Sequence, residues 1–137
     1  MSLVQRSNPP SDVAPAGKYS HLSIVGQDTP VATFAGQIGA TSTGTVPGSA
    51  AEQTRLVFTA IRALLDSQHA APADLVKLTT YIVGRDNLPD FNAIRDEVYA
   101  DWFPAGEFPP NTVLIVAGLA APPLLVEIEG SFVCGRP

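Results

Sequence analysis

The chain has 137 residues, 45% apolar and only 15% charged, with a formal net charge of −5. That length fits one domain, which buries roughly two-thirds of its unfolded surface and needs no covalent staple. Its eight basic residues are scattered, which argues against a nucleic-acid partner, and its one cysteine, Cys134, excludes an internal disulfide and a thiolate cluster.

A lone thiol fits a reducing compartment, so a cytoplasmic location is expected. No apolar stretch reaches membrane-spanning length, and the first residues, MSLVQRSNPPSD, carry no apolar core of a secretory signal. The low charge density suggests additional buried surface, such as a subunit interface.

In chain order, Val4–Arg6 reads as a short edge strand, followed by a Pro-rich extended segment to residue 18. Tyr19–Val25 and Val31–Ala35 read as strands joined through Gly26–Pro30, which predicts a hairpin. Gly36 and Gly39, just after it, suggest a bulge or a close backbone approach. Ser49-Ala50-Ala51-Glu52 matches a capping box. Val57, Ile61, Leu64 and Leu65 then recur at helical spacing, so a helix is expected over about 50–68, stopped by Pro72.

Leu75–Val83 is rich in β-branched residues and reads as a strand. Phe91, Ile94, Val98 and Trp102 form the apolar stripe of a second helix, about 88–103, with Arg95, Asp96 and Asp101 off it. Two apolar strands complete the chain between Phe108 and Val133. The order β-β-α-β-α-β-β predicts an α+β sandwich: a mostly antiparallel sheet with two helices on one face. Apolar residues on both strand faces after residue 111 make self-association the economical cover for the other face.

Glu127 is the residue that demands a reason, because a carboxylate on an apolar strand needs solvent, a partner or a chemical task. It is the candidate general base, or an exposed strand carboxylate; Glu129, on the same face, reads as structural. Asn111, after Pro110, is a ligand amide or a turn residue. Thr112 offers a hydroxyl but is also a good β-former. Tyr19 is a hydroxyl donor or a packing residue. Gly36 and Gln37 admit a ligand or merely shape a sheet corner, and Asn92 is a helix-surface polar group or a contact residue. His21 and His69 lack metal-ligand spacing, so neither a metal nor a cofactor is expected. Cys134 has no His partner for nucleophilic chemistry.

Phe34-Ala35-Gly36-Gln37-Ile38-Gly39, Glu52-Gln53, Asp74–Thr79, Phe91-Asn92 and Val126-Glu127-Ile128-Glu129 together resemble the YjgF/RidA family, also called endoribonuclease L-PSP or UK-type proteins. The resemblance runs from about Asn8 to Val133. It implies a chorismate-mutase-like fold, a homotrimer and three clefts between subunits. It also implies hydrolysis of enamine or imine products of amino-acid metabolism to 2-oxo acids and ammonia. In that pattern a glutamate on the last strand handles water, a first-hairpin tyrosine and backbone near the Gly-Gln segment shape the pocket, and an arginine clamps the substrate carboxylate. By position these are Glu127, Tyr19, Gly36-Gln37 and, in place of the arginine, Asn111. The neutral amide lacks the bidentate charged clamp; no basic residue lies within 105–133 to replace it, which leaves Arg95 or Arg136 from elsewhere in the chain as the alternatives. Two readings follow: a deaminase-like hydrolase of a C=N or acyl substrate, or a non-catalytic module that binds a small metabolite. RNA cleavage, a third activity attached to the family label, is disfavoured by the acidic charge.

Overall fold

Ser49 starts the first helix by accepting the Glu52 N–H at 3.1 Å, as an N-cap serine should. In this computed structural model, which describes residues 3–10 and 13–135, that helix, α1, spans Ala50–Ser67. It ends where His69 takes a left-handed φ of 53°. The His69 and Ala70 N–H groups then return to the Asp66 and Leu65 carbonyls at 3.1 and 2.9 Å, a Schellman closure with histidine where glycine is usual. α1 buries Val57, Phe58, Ile61 and Leu65 completely or nearly so.

The described residues also form six strands, β1 (Val4–Ser7), β2 (Leu22–Val25), β3 (Val31–Ile38), β4 (Leu75–Val83), β5 (Asn111–Val116) and β6 (Val126–Val133), with α2 (Leu88–Trp102) between β4 and β5 in the chain. The main sheet runs β3-β6-β4-β5. β6 is antiparallel to both β3 and β4, and β4 and β5 are parallel. The last two strands are therefore not neighbours. Leu78, Thr80 and Ile82 of β4 and Val126 and Ile128 of β6 point to the helices, and all five are fully buried. They meet Phe58, Phe91 and Tyr99 in one core; burial of each large apolar side chain contributes roughly 1.5–3 kcal/mol.

The expected hairpin does not form. β2 pairs with β1, in the register Val4↔Val25 to Ser7↔Leu22, as a separate two-stranded sheet. β3 instead takes its partner from the far end of the chain, Val31 against Val133. The strand also begins at Leu22, leaving Tyr19 in the approach loop. Arg6 anchors the β1–β2 hairpin elsewhere. Its guanidinium donates to the carbonyls of Pro72, Ala73, Leu75 and Glu107 at 3.4, 3.2, 2.8 and 2.6 Å and lies 5.2 Å from the Phe103 ring centre. Burial lowers its pKa from the ordinary arginine value, partly offset by Glu107, Tyr99 and Asp74.

The two suspected glycines do both things expected of them. The ladder between β3 and β6 shifts register between Phe34 and Gln37, so Gly36 lies in a bulge. A Cβ on Gly39 would lie 2.6 Å from Gln53 Cα, so the missing side chain lets α1 approach. Gln53 itself is fully buried; its Nε2 donates to the Pro47 and Pro123 carbonyls at 2.8 and 2.9 Å and its Oε1 accepts the Leu125 N–H at 2.8 Å.

α2 departs from its expected stripe. It buries Phe91, Ile94 and Tyr99, while Val98 and Trp102 are only partly covered and line a shallow hollow against α1 with Phe58. Arg95, expected outward, has only 14% of its side chain exposed. Among the described residues no helix is long and apolar enough to cross a membrane.

Candidate functional site

Along the free edge of β5 runs an open groove of about 780 Å³. The segment at residues 16–19 and the first turns of α2 form its other walls. Four of the sequence candidates line it: Tyr19, Asn92, Asn111 and Thr112. Leu88, Val113 and Ile115 add apolar surface, and Lys18, Arg85 and Arg95 add charge.

The polar groups are held by their neighbours. Fully buried Thr80 donates its hydroxyl to Asn111 Oδ1 at 3.1 Å. This occupies the amide oxygen and leaves the amide N–H groups to face outward. The Tyr19 hydroxyl accepts the Ala16 N–H at 3.0 Å, so its own proton is free to donate. The Tyr19 ring is stacked with His21 at 6.0 Å between centres.

The other three candidates sit on the opposite side of the sheet or at its bulge. Glu127 pairs across β6 with Ile38 on one side and Tyr81 on the other, facing away from the helices. Its carboxylate lies against Gly36: an added Cβ there would meet Glu127 Cδ at 2.6 Å. Glycine at 36 is thus what gives the carboxylate room. Gln37 is beside them, paired with Ile128, but its Nε2 folds back to the Ala35 carbonyl at 2.9 Å. Two residues along β6, Glu129 accepts the Tyr81 hydroxyl proton. That bond, followed by desolvation and the nearby carboxylates, raises the Tyr81 pKa.

β4 lies between the strands of Asn111 and Glu127, roughly 10 Å of lateral separation at the usual strand spacing. The two side chains also leave the sheet on opposite faces, since Asn111 aligns with core-facing Leu78 and Glu127 with Tyr81. One copy of the chain does not bring the seven candidates together. It presents a donor-rich group and an acidic group.

Residues 10–134 match the endoribonuclease L-PSP family. The chain belongs to that family. The YjgF/RidA proteins are the same group, and this member carries Asn111 where the resemblance places an arginine. It is 37% identical over 121 residues to a RutC family protein of Pyrococcus abyssi, covering 84% of this chain and 85% of that protein. A RutC family protein of Pyrococcus horikoshii is 33% identical over 121 residues, covering 88% and 83%. Among solved structures, a Rid-family protein of unknown function from Yersinia pestis superposes with a TM-score of 0.79 at 27% identity, covering 96% of this chain and 98% of its own. Escherichia coli TdcF, solved with bound serine, shares the fold at a TM-score of 0.70 and 19% identity, covering 98% and 100%. This L-PSP chain therefore has the chorismate-mutase-like α+β fold of the YjgF proteins.

Sequence reasoning passed over Lys18 and Arg85, and named Arg95 only beside Arg136 as an arginine that could reach the site; the structure places Arg95 in the groove lining. For Arg95 the signal was available: Phe91, Arg95 and Tyr99 recur every fourth residue, which stacks them on one helical face. Among the described residues no cluster of three or more His, Cys, Asp or Glu side chains has metal-binding geometry.

Proposed function

We propose that this chain binds a small polar metabolite in clefts between the subunits of a homotrimer and acts there as a hydrolase on an enamine, imine or related C=N or acyl substrate. The observation that carries this reading is the split of the candidates: Tyr19, Asn92, Asn111 and Thr112 line one groove, while Glu127 lies with Gly36 and Gln37 around the helix-free face. A second copy whose Glu127 face meets the β5 edge of the first completes a site that neither holds alone. Exposed Val113, Leu114 and Ile38, on β5 and β3, supply apolar surface for such a contact, and β5 is a free strand edge of the kind that proteins cover.

In that site Glu127 takes a proton from water as the oxygen bonds to the imine carbon and the C=N pair moves to nitrogen. The carboxyl then returns the proton to the nitrogen. As the carbinolamine collapses, Glu127 takes its hydroxyl proton and passes it to the amine nitrogen, the C–N bond breaks, and ammonia leaves with a carbonyl behind, one water consumed in all. Tyr19 and Asn111 donate to the polar end of the substrate; Asn92 and Thr112 border it, and the small Gly36 and Gln37 backbone leaves space. A general base of this kind contributes about 10²–10⁴-fold. Glu127→Gln therefore loses at least a hundredfold in ammonia release from a freshly generated 2-aminoacrylate-type imine, with the sedimentation behaviour of a trimer retained. Unchanged turnover in that variant removes Glu127 from the chemistry.

The second reading, a binding or regulatory module without turnover, is favoured by the absence of charge on Asn111. It is the correct one if the wild type releases no ammonia above background while a metabolite still raises the melting temperature.

A further inference from the structure

The groove beside β5 is cationic in an acidic protein. Lys18, Arg85 and Arg95 line it, and no carboxylate does among the described residues, although the chain as a whole carries a net charge of −5. The neutral polar groups there are donors as well: the Asn111 amide by virtue of its bond from Thr80, and the Tyr19 hydroxyl by virtue of its bond from Ala16. A lining of donors and cations suits an anion.

The three cations are not equivalent. Arg85 is exposed, and Lys18 has 41% of its side chain exposed in a 3.5 Å pair with Asp96. Water screens both. Arg95 is held. Its Nε and Nη2 donate to one oxygen of Asp96 at 3.1 and 3.0 Å, and its guanidinium carbon lies 5.8 and 5.9 Å from the ring centres of Phe91 and Tyr99, one helical turn to either side. A guanidinium fixed by rings and a carboxylate, and largely shielded from water, is ordered before any ligand arrives.

We propose that Arg95 supplies the positive charge that position 111 lacks, and that the groove binds the carboxylate of a small organic acid through Arg95, Asn111 and Tyr19. The proposal rests on the reading that places the ligand site in this groove. It moves the anchoring charge from β5 to α2, and it makes Arg95 the residue that separates acids from their neutral amides.

Titration of the full-length wild type with pyruvate and with its neutral analogue pyruvamide tests this. The acid binds more tightly than the amide, and added salt weakens the acid alone. Arg95→Gln weakens pyruvate tenfold to about a hundredfold, the span of one charge-assisted hydrogen bond, and leaves pyruvamide within about twofold. Adding Asn111→Arg to Arg95→Gln restores pyruvate binding, because the charge returns to the same ligand group; a merely structural Arg95 predicts no such rescue. Arg62→Gln, outside the groove and paired with Asp66 on α1, changes pyruvate affinity by less than about threefold. If Arg95→Gln fails to fold, Arg95→Lys carries the test and weakens pyruvate by at least about threefold, because the planar fork is lost. Equal pyruvate affinity in wild type and the Arg95 variant overturns the proposal, as does a wild type that prefers pyruvamide or binds neither compound. None of those results touches the role of Glu127, which stands or falls on ammonia release by Glu127→Gln.

Discussion

The groove along β5 and the face around Glu127 belong to one sheet but are built in opposite ways. The groove is lined by cations and hydrogen-bond donors, and the side chains behind it are fixed by buried partners such as Thr80. The Glu127 face carries Glu127, Glu129 and Tyr81, and the space there comes from a missing side chain at Gly36. The difference teaches where substitutions should act. The groove is sensitive to changes in the core beneath it, and the acidic face to changes in backbone and side-chain bulk beside it. The opposite charges also suit two copies meeting groove to face, since complementary potentials orient such contacts.

The largest effect is expected at the support of the acidic face. Gln53→Leu removes three hydrogen bonds and leaves the Leu125 N–H and the Pro47 and Pro123 carbonyls without their partner. At about 1 kcal/mol for each bond, the variant loses about 3 kcal/mol in denaturant unfolding. Because Leu125 leads directly into β6, Glu127 turnover falls further than pyruvate affinity in the groove.

Next is Gly36→Val, whose side chain takes the volume of the Glu127 carboxylate. Ammonia release drops at least tenfold, and the stability cost is of the order of the 1–3 kcal/mol typical of overpacking. Pyruvate binding in the groove falls with it, because the neighbouring copy's Glu127 face closes the groove; unchanged pyruvate binding would mean that the two regions act independently.

Thr80→Val acts on the groove alone. It removes the buried donor to Asn111 Oδ1, costs about 1 kcal/mol and frees the amide to turn. Titration should show weaker carboxylate binding with Glu127-dependent turnover per bound substrate preserved.

The smallest effect is confined to alkaline solution. Tyr81, bonded to Glu129, and Tyr99, fully buried, both have pKa values raised above the ordinary 10.0. The folded state therefore keeps these protons after the unfolded state has lost them, so stability present below pH 10 declines as pH rises beyond it. Tyr81→Phe removes the contribution of the acidic face and Tyr99→Phe that of the core, read by denaturant midpoints above pH 10. The Tyr99 hydroxyl has no hydrogen-bond partner among the described residues. Its removal is expected to leave neutral-pH stability unchanged or improved by up to about 1 kcal/mol.

The local elements were legible because each has a local cause. The cap at Ser49 and the β-branched run of β4 placed α1 to within a residue of Ala50–Ser67 and β4 at Leu75–Val83. Pairing was not legible in the same way. Val31 follows β2 after five residues, yet its partner is Val133, and nothing in Gly26–Pro30 announces that. The choice depends on distant groups, including the carbonyls that Arg6 reaches. On α2 the stripe was ambiguous because Val98 follows Ile94 by four residues and Tyr99 follows Phe91 by eight, both at helical spacing, and the larger aromatic took the core. Arg95 reads from the sequence as off the stripe, one of two arginines that could reach the site; that the rings of Phe91 and Tyr99 flank it depends on how α2 is rolled against the core. For the site, the sequence supplied the residues but not their division between two faces, which only the strand order β3-β6-β4-β5 decides.

That strand order has a temporal consequence. Among the described strands β6 comes latest in the chain, yet it occupies the interior of the main sheet. Until it emerges, β3 has no partner in the main sheet and the β4–β5 pair exposes a raw edge on its β4 side. Contacts across a hundred residues, such as Arg6 to Glu107, also wait for a distant segment, though one that precedes β6. The nascent chain therefore has its helices available early and its main sheet open until β6 emerges, a state with unpaired edges that invites association with other chains. Insertion of β6 seals both edges at once and, in the same movement, seats Glu127 against Gly36.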